Sequence, residues 1–228
     1  MDFKEYENIK LYHGDCMDLL KQTPDNYYSL ALVDPPYGIK IFSENHNRNE
    51  NSKYRRSLQK LCDNSHRFND NKPTDNYWKE LFRVSKSQII WGANNFNLPP
   101  TEYFLIWNKE QTVDNFASAE LAFVYGIKKP AKVFTYKIHK HNQNKISDHS
   151  SEKPILLYDW IIKNYVNKND KILDTHLGSG SIVISVDKAN SINNMNLQFT
   201  GIEIDEDYFN NMIKRFENYK SQLTLTLI

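Results

Sequence analysis

The sequence predicts an α/β protein built on a doubly wound, mostly parallel sheet. Three observations predict it. Leu30-Ala31-Leu32-Val33 is a continuous apolar run, the pattern of a strand covered on both faces. From Lys153 onward, helical and strand patterns alternate, as in βαβ units. Two of the strands there end in acids, and one runs directly into the glycine-rich turn DTHLGSGS.

The elements follow in order. Ile9–Asp15 (IKLYHGD) alternates and stops at Gly-Asp, so it reads as a strand and a turn. MDLLKQT suits a short helix ended near Pro24. Ser29–Asp34 is the buried strand. Gly38 to Thr74 is polar and rich in Asn, Arg and Lys, which predicts a long loop with a helix around Tyr54–Leu61. Asp75–Lys86 is amphipathic and helical. Gln88–Asn94, Tyr103–Lys109 and Ala119–Gly126 read as three more strands, and Ile127–Asp148 as irregular or β-rich. Lys153–Val166 is a helix with Ile155, Tyr158, Trp160, Ile161 and Ile162 on one side. Asp170–Ser181 is a strand entering the glycine-rich turn, Ser181–Ser191 the helix after it, and Leu197–Asp205 a strand ending in acids. EDYFNNMIKRFENYK closes the series as a helix. That count gives seven strands. There is no repeat and no linker-like stretch, so residues 1–228 read as a single domain.

Composition narrows the class. Hydrophobic content of 39% and charge of 25% are those of a soluble globular protein. No run of eighteen apolar residues exists, so no membrane span is expected, and MDFKEYENIK lacks the apolar core of a signal peptide. A cytoplasmic location is the expectation. Cys16 and Cys62 are too few for a disulfide framework, and no C-x-x-C marks a zinc site. Net charge is only +1, but it is unevenly spread. Lys40–Lys72 holds eight Lys/Arg against four Asp/Glu, and Lys128–Lys153 seven against two. Such segments are either phosphate-binding patches or solvated loops.

The glycine-rich turn sits at a strand-to-helix junction, where backbone N–H groups and a helix N-terminus face a ligand. Downstream, GIEID ends the next strand with Glu203, an acid suited to ribose hydroxyls. The full G-x-G-x-x-G is absent because Val183 follows Gly178 and Gly180. No phosphate-binding G-x-x-x-x-G-K-[ST] and no G-x-S-x-G elbow occurs. What fits is either a ligand-free tight turn or a site for a nucleoside-containing ligand without pyrophosphate, such as S-adenosylmethionine.

The buried strand delivers Asp34-Pro35-Pro36-Tyr37 to its carboxyl end, where doubly wound sheets bind ligands. Asp34 can accept a hydrogen bond from an exocyclic amine. The prolines stiffen the turn and leave carbonyls free to accept. Tyr37 can stack on a planar base. Methyl transfer to such a nitrogen needs placement and charge complementarity, with no covalent nucleophile. Neither cysteine follows a proline, which argues against the covalent route used on cytosine carbon.

DPPY at Asp34–Tyr37 resembles motif IV of the DNA amino-methyltransferases. LDTHLGSGS resembles their motif I, GIEID motif II, HGD at His13–Asp15 motif III, and HSSEKP at His149–Pro154 motif X. RVSKSQIIWGANNF, FLIWNKE and FASAELAF also resemble small members of that family, of the kind often carried by phages. The catalytic motif precedes the cofactor motif with a basic insert between, an order similar to the β class, a circular permutation of the methyltransferase fold.

This resemblance implies a circularly permuted, Rossmann-like fold that uses S-adenosylmethionine, and a DNA methyltransferase acting on the N6 amine of adenine. Alternatives are N4 of cytosine, an RNA amine, or a decayed DNA-binding protein. It implies that Asp34, Pro35, Pro36 and Tyr37 hold an extruded base. Asp174, His176, Gly178, Ser179, Gly180 and Ser181 would cradle the methionine end of the cofactor, with His149, Ser151 and Lys153 at its carboxylate. Glu203 and Ile204 would take the ribose end, and Asp15 with Cys16 the adenine. Lys40, Arg48, Lys53, Arg55 and Arg56, and Lys128, Lys129, Lys132, Lys137 and Lys140, would grip double-stranded DNA. The insert at about 126–148 stands where the family places target recognition. A bacterial or phage-infected cell and a possible homodimer are implied, and no metal. A restriction partner is not indicated either way. The sequence departs from the family at His176, where Phe is common, and in HSSEKP, which lacks the usual Pro and Gln.

Elsewhere plainer readings lead. Trp91, Trp107 and Trp160 read as core. Asn94 and Phe96 read equally as base-pocket lining or as structure. Glu120 reads as an active-site acid or as the partner of a buried Lys or Asn. His139 and His141 lack a third ligand.

Overall fold

The computed structural model describes residues 1–38, 71–111, 117–138 and 152–226, with side chains of the last helix through residue 222. The described strands form one sheet of nine: β1 (Asp2–Tyr6), β2 (Ile9–His13), β3 (Leu30–Val33), β4 (Gln88–Trp91), β5 (Tyr103–Asn108), β6 (Ala119–Tyr125), β7 (Val133–Thr135), β8 (Lys171–Asp174) and β9 (Gln198–Glu203). Their spatial order is β1-β2-β9-β8-β3-β4-β6-β5-β7. The pairings from β2 through β9, β8 and β3 to β4 are all parallel.

Helices cover both faces because alternate residues of the central strands leave in opposite directions. Leu30 and Leu32 enter one core cluster, with Ile89, Trp91 and Ile172. Ala31 and Val33 enter the other, with Ile90, Leu173 and Ile202. The first core is closed by α3 (Ile155–Tyr165), α4 (Ser181–Asn193) and α5 (Glu206–Thr226). The second is closed by α1 (Cys16–Leu20) and α2 (Asp75–Val84). In α2, Tyr77, Leu81 and Val84 are buried at helical spacing, and the Thr74 hydroxyl accepts from the Tyr77 N–H at the start.

Seven strands become nine. The two additions are edge strands that carry no burial signal. β1 is exposed almost throughout yet pairs over its whole length with β2. β7 lies in the basic segment and pairs with β5. The strand expected over Gln88–Asn94 stops at Trp91, where Gly92 at φ +70° turns it into a 3-10 turn, Ala93–Asn95. In α3 the buried face is Leu157, Tyr158, Ile161, Ile162 and Tyr165, with Ile155 and Trp160 only partly buried. Trp91 and Trp107 are core. No helix among the described residues is long and apolar enough to cross a membrane.

The chain runs outward in one direction from β3 to β4 and in the other from β8 to β9. The switch therefore falls between β3 and β8, and a crevice opens beyond their carboxyl ends.

Candidate active site

Four of the five parallel strands around the switch lead into an acid, β4 being the exception. β3 delivers Asp34, β8 delivers Asp174, β9 delivers Glu203, and Asp15 follows β2. The Asp34 carboxylate is held on both oxygens. Tyr37 Oη donates to its Oδ1 at 2.6 Å, and Lys153 Nζ donates to its Oδ2 at 2.5 Å. Lys153 also donates to Tyr37 Oη at 3.1 Å. Gly92 makes room for the Tyr37 ring, which meets Phe96 edge-on at 6.1 Å between centroids. Phe96 in turn packs on Trp78 at 5.0 Å.

Lys153 is almost wholly buried and has a second carboxylate, Glu120 Oε2, at 3.3 Å, an ion pair without hydrogen-bond geometry. Glu120 Oε1 pairs with Lys109. Burial disfavours the charged form of Lys153, but Asp34 and Glu120 outweigh it and raise its pKa. Burial likewise works against ionised Glu120, and Lys153 and Lys109 outweigh it, so that carboxyl is lowered. Glu120 is thus a partner of buried lysines.

The cofactor-type turn is equally tied down. Glu203, buried, accepts from Gly178 N–H at 2.8 Å and from Asp205 N–H at 3.0 Å. Burial raises its pKa. Gly180 stands at φ +73°, where a Cβ would lie 2.2 Å from Met212 Cγ, so α5 closes directly on the turn. Arg215 of α5 donates to the Ser179 carbonyl at 2.7 Å and the Ser181 hydroxyl at 3.2 Å, and pairs with Glu152 at 2.9 Å. Arg215 is a functional-site residue that sequence reading missed. Its one signal is a cation on the buried Phe209–Met212–Phe216 face of an otherwise apolar-packed helix.

Asp174 is buried, accepts from the His176 N–H at 3.0 Å, and is pushed up to about 8, chiefly by burial, with the Asp34 and Glu203 charges adding to it. His176 is pushed down to about 4 by burial and is therefore neutral. Its Nδ1 bonds Thr175 Oγ1 at 2.9 Å, and Thr175 bonds Tyr77 Oη at 2.7 Å. Asp15 caps α1 by accepting from Met17 N–H at 2.9 Å. Burial pushes the Cys16 thiol up to about 12, so it is no nucleophile at neutral pH.

These residues suit a cationic nucleoside. Three carboxylates, Asp34, Asp174 and Glu203, crowd one crevice, and a sulfonium or ammonium there offsets the burial and the neighbouring charges that disfavour ionised Asp174. Beside Glu203, Ile204 leaves an apolar side chain 57% exposed, a surface for a planar ring.

The model of the DNA methylase family matches residues 39–215, beginning just after the Asp34–Tyr37 turn. The chain belongs to that family. Its members methylate DNA at N6 or N4 amines with S-adenosylmethionine as donor. The type II methyltransferase M.HinfI of Haemophilus influenzae is 28% identical over 254 residues, covering 91% of this chain and 68% of its own. M.BglII of Bacillus subtilis is 22% identical over 87% of this chain and 66% of its own. The chain thus spans about two thirds of the length of these relatives. Among solved structures, the M1.HpyAVI complex with S-adenosylmethionine superposes with a TM-score of 0.55 at 18% identity, covering 91% of this chain and 98% of that one. The cytosine-N4-specific PvuII DNA methyltransferase gives 0.58 at 13% identity, covering 94% and 90%. At these identities the likeness is one of fold.

The structure gathers most sequence-predicted residues of this DNA methylase at one crevice: Asp15, Cys16, Asp34, Pro35, Pro36, Tyr37, Lys153, Asp174, His176, Gly178, Ser179, Gly180, Ser181, Glu203 and Ile204. Lys153, expected at the cofactor carboxylate, donates to Asp34. Lys128 and Lys129 lie toward the opposite end of the sheet, whereas Lys132, just before β7, is level with Leu105 and so with Trp91 at the end of β4. β6 runs antiparallel to β4, so its last residue, Tyr125, is level with Gln88 at the start of β4. The side chains of Lys129 and Lys132 bond Asn167 and Asn164 near the far end of α3. Lys137 returns to the catalytic end, where the Ile138 N–H bonds the Lys109 carbonyl. Lys40, Arg48, Lys53, Arg55, Arg56, Lys140, His149 and Ser151 lie outside the described residues, as do Cys62, His139, His141 and the Tyr54–Leu61 segment.

Proposed function

We propose that this chain methylates the N6 amine of adenine in duplex DNA by direct transfer to an extruded base. The observation that carries it is the Asp34-Pro35-Pro36-Tyr37 turn at the switch point, its carboxylate held by Tyr37 and Lys153, one strand away from the Gly178–Gly180 turn. Each Asp34 oxygen keeps a lone pair beyond its present partner, so the carboxylate still accepts from an amine N–H. The Pro35 carbonyl supplies a second acceptor, and Phe96 with Tyr37 offers aromatic surface to the ring. Two acceptors set out of the ring plane draw the N–H bonds toward a pyramidal amine, so the nitrogen lone pair leaves conjugation and faces the donor; the N–C bond forms as the S–C bond breaks, and the amine then loses one proton. Asp174, Glu203 and the glycine-rich turn bind the cofactor, which supplies an electrophilic methyl on a sulfonium. An acid at the head of the turn favours adenine, since serine there is commoner among cytosine-N4 enzymes.

Incubation with labelled cofactor and unmodified duplex DNA, followed by separation of nucleosides, tests the reading. Label in N6-methyladenine supports it. Label in N4-methylcytosine replaces the target base, and label only in parallel RNA incubations replaces the substrate.

A further inference from the structure

Glu152 and Lys153 are neighbours in sequence, both buried, and their side chains serve the two halves of the site. Lys153 reaches back 119 residues to Asp34. Glu152 pairs with Arg215, which carries the Ser179 carbonyl and the Ser181 hydroxyl of the glycine-rich turn. One dipeptide thus spans the catalytic turn and the cofactor turn. Lys153 is itself braced. Its ammonium stands 5.6 Å from the ring centroids of both Tyr37 and Trp91, and Glu120, anchored by Lys109, is a second carboxylate at 3.3 Å.

We propose that Glu152-Lys153 is the strut that sets the Asp34 carboxylate against the glycine-rich turn, with Lys153 a positioning residue of the transfer centre and not a ligand of the cofactor's carboxylate. This rests on the methyl-transfer reading above. Lys153 engages Asp34 Oδ2 and Tyr37 Oη together, so it fixes both the tilt of the carboxylate and the rotation of the ring. A cation spent on two protein carboxylates and a phenol is poorly placed for a third anion. The titratable groups facing Lys153 are Asp34 and Tyr37 after β3, Glu120 on β6 and Tyr158 on α3, with Asp174 at the end of β8 close enough to feel its charge.

The test compares Lys153→Met, Lys153→Arg and Glu120→Gln with the full-length wild-type chain. Two quantities are read: cofactor affinity by calorimetry, and single-turnover methyl transfer at saturating cofactor across pH. Lys153→Met is expected to keep cofactor affinity while the rate falls about a hundredfold, the cost of a misplaced reacting group. It also leaves Asp34 and Glu120 without the cation between them. One carboxyl then takes up a proton, and the rate of the variant rises with pH across neutrality where wild type is flat. Lys153→Arg recovers part of the rate. Should Lys153→Met fail to fold, Glu120→Gln decides, with reduced rate and unchanged affinity expected. Cofactor affinity lost in Lys153→Met, with its saturated rate intact, overturns the proposal. So does a saturated rate unaffected by Glu120→Gln and Lys153→Arg. A wild type that binds cofactor but methylates no DNA overturns the methyl-transfer reading instead. The affinity arm then judges Lys153 alone: unchanged affinity keeps it off the cofactor carboxylate, and lost affinity puts it there.

Discussion

Gly92 is where the backbone makes room for the Tyr37 ring. Its φ of +70° and ψ of 26° lie in the left-handed region, and a Cβ there would stand 2.2 Å from Tyr37 Cε1 and 2.5 Å from Cζ. Gly92→Ala therefore meets two separable costs. The left-handed backbone of a residue with a Cβ costs about 1–2 kcal/mol. The ring must also move, which breaks the 2.6 Å bond from Tyr37 to the Asp34 carboxylate, about 1.5–3 kcal/mol for a hydrogen bond to a charged group. Together they predict a stability loss of roughly 2.5–5 kcal/mol by urea unfolding. Single-turnover transfer should fall about a hundredfold from the displaced ring and carboxylate. Cofactor affinity should hold, because Gly92 faces the base side of the crevice. The double variant separates the two costs: in a Tyr37→Ala background, Gly92→Ala should cost only the backbone share. Wild-type stability and rate in Gly92→Ala would refute the reasoning, as would an undiminished cost in the Tyr37→Ala background.

Other predictions follow from the same geometry. Asp174 has its folded pKa raised from 3.8 to about 8. A raised acid stabilises the fold fully below its unfolded pKa, and that contribution is lost as pH rises through about 8. The free wild type should thus lose stability over that range relative to Asp174→Asn, and parallel urea midpoints would count against this. A cationic cofactor ionises Asp174, so binding at pH 7 should release a proton, read by calorimetry in buffers of different ionisation enthalpy, and Asp174→Asn should release none. Arg215→Met leaves Glu152 buried without its cation and should cost about 3–5 kcal/mol in urea unfolding. It should also weaken cofactor binding through the loosened Ser179–Ser181 turn, and intact affinity would separate Arg215 from the site. The joint replacement of Lys128 and Lys129 by Ala should leave DNA affinity and its salt slope unchanged, whereas Lys137→Ala should reduce the slope by about one.

The sequence was most legible where burial is two-sided. Strands β3, β8 and β9 announce themselves as apolar runs ending in Asp34, Asp174 and Glu203, because a central parallel strand admits few polar residues. Edge strand β1 escaped, and β7 stood only within a stretch read as irregular or β-rich, since exposed strands need no apolar alternation. The charge network also escaped. Lys153 and Asp34 are 119 residues apart, and Arg215 and Glu152 are 63 apart, so their pairing is a product of tertiary packing. Where the basic run from Lys128 to Lys132 surfaces was not legible for a related reason. Charge along the chain does not say at which end of the sheet it surfaces, and the antiparallel course of β6 decides that.

The most direct test of the account places wild type and Asp34→Ala side by side, with cofactor affinity and methyl transfer to unmodified duplex DNA measured on the same preparations. Equal cofactor affinity is expected, with label in the DNA from wild type and none from Asp34→Ala. Full transfer by Asp34→Ala would contradict it, because the carboxylate that Lys153 and Tyr37 hold in place would then have no part in the chemistry.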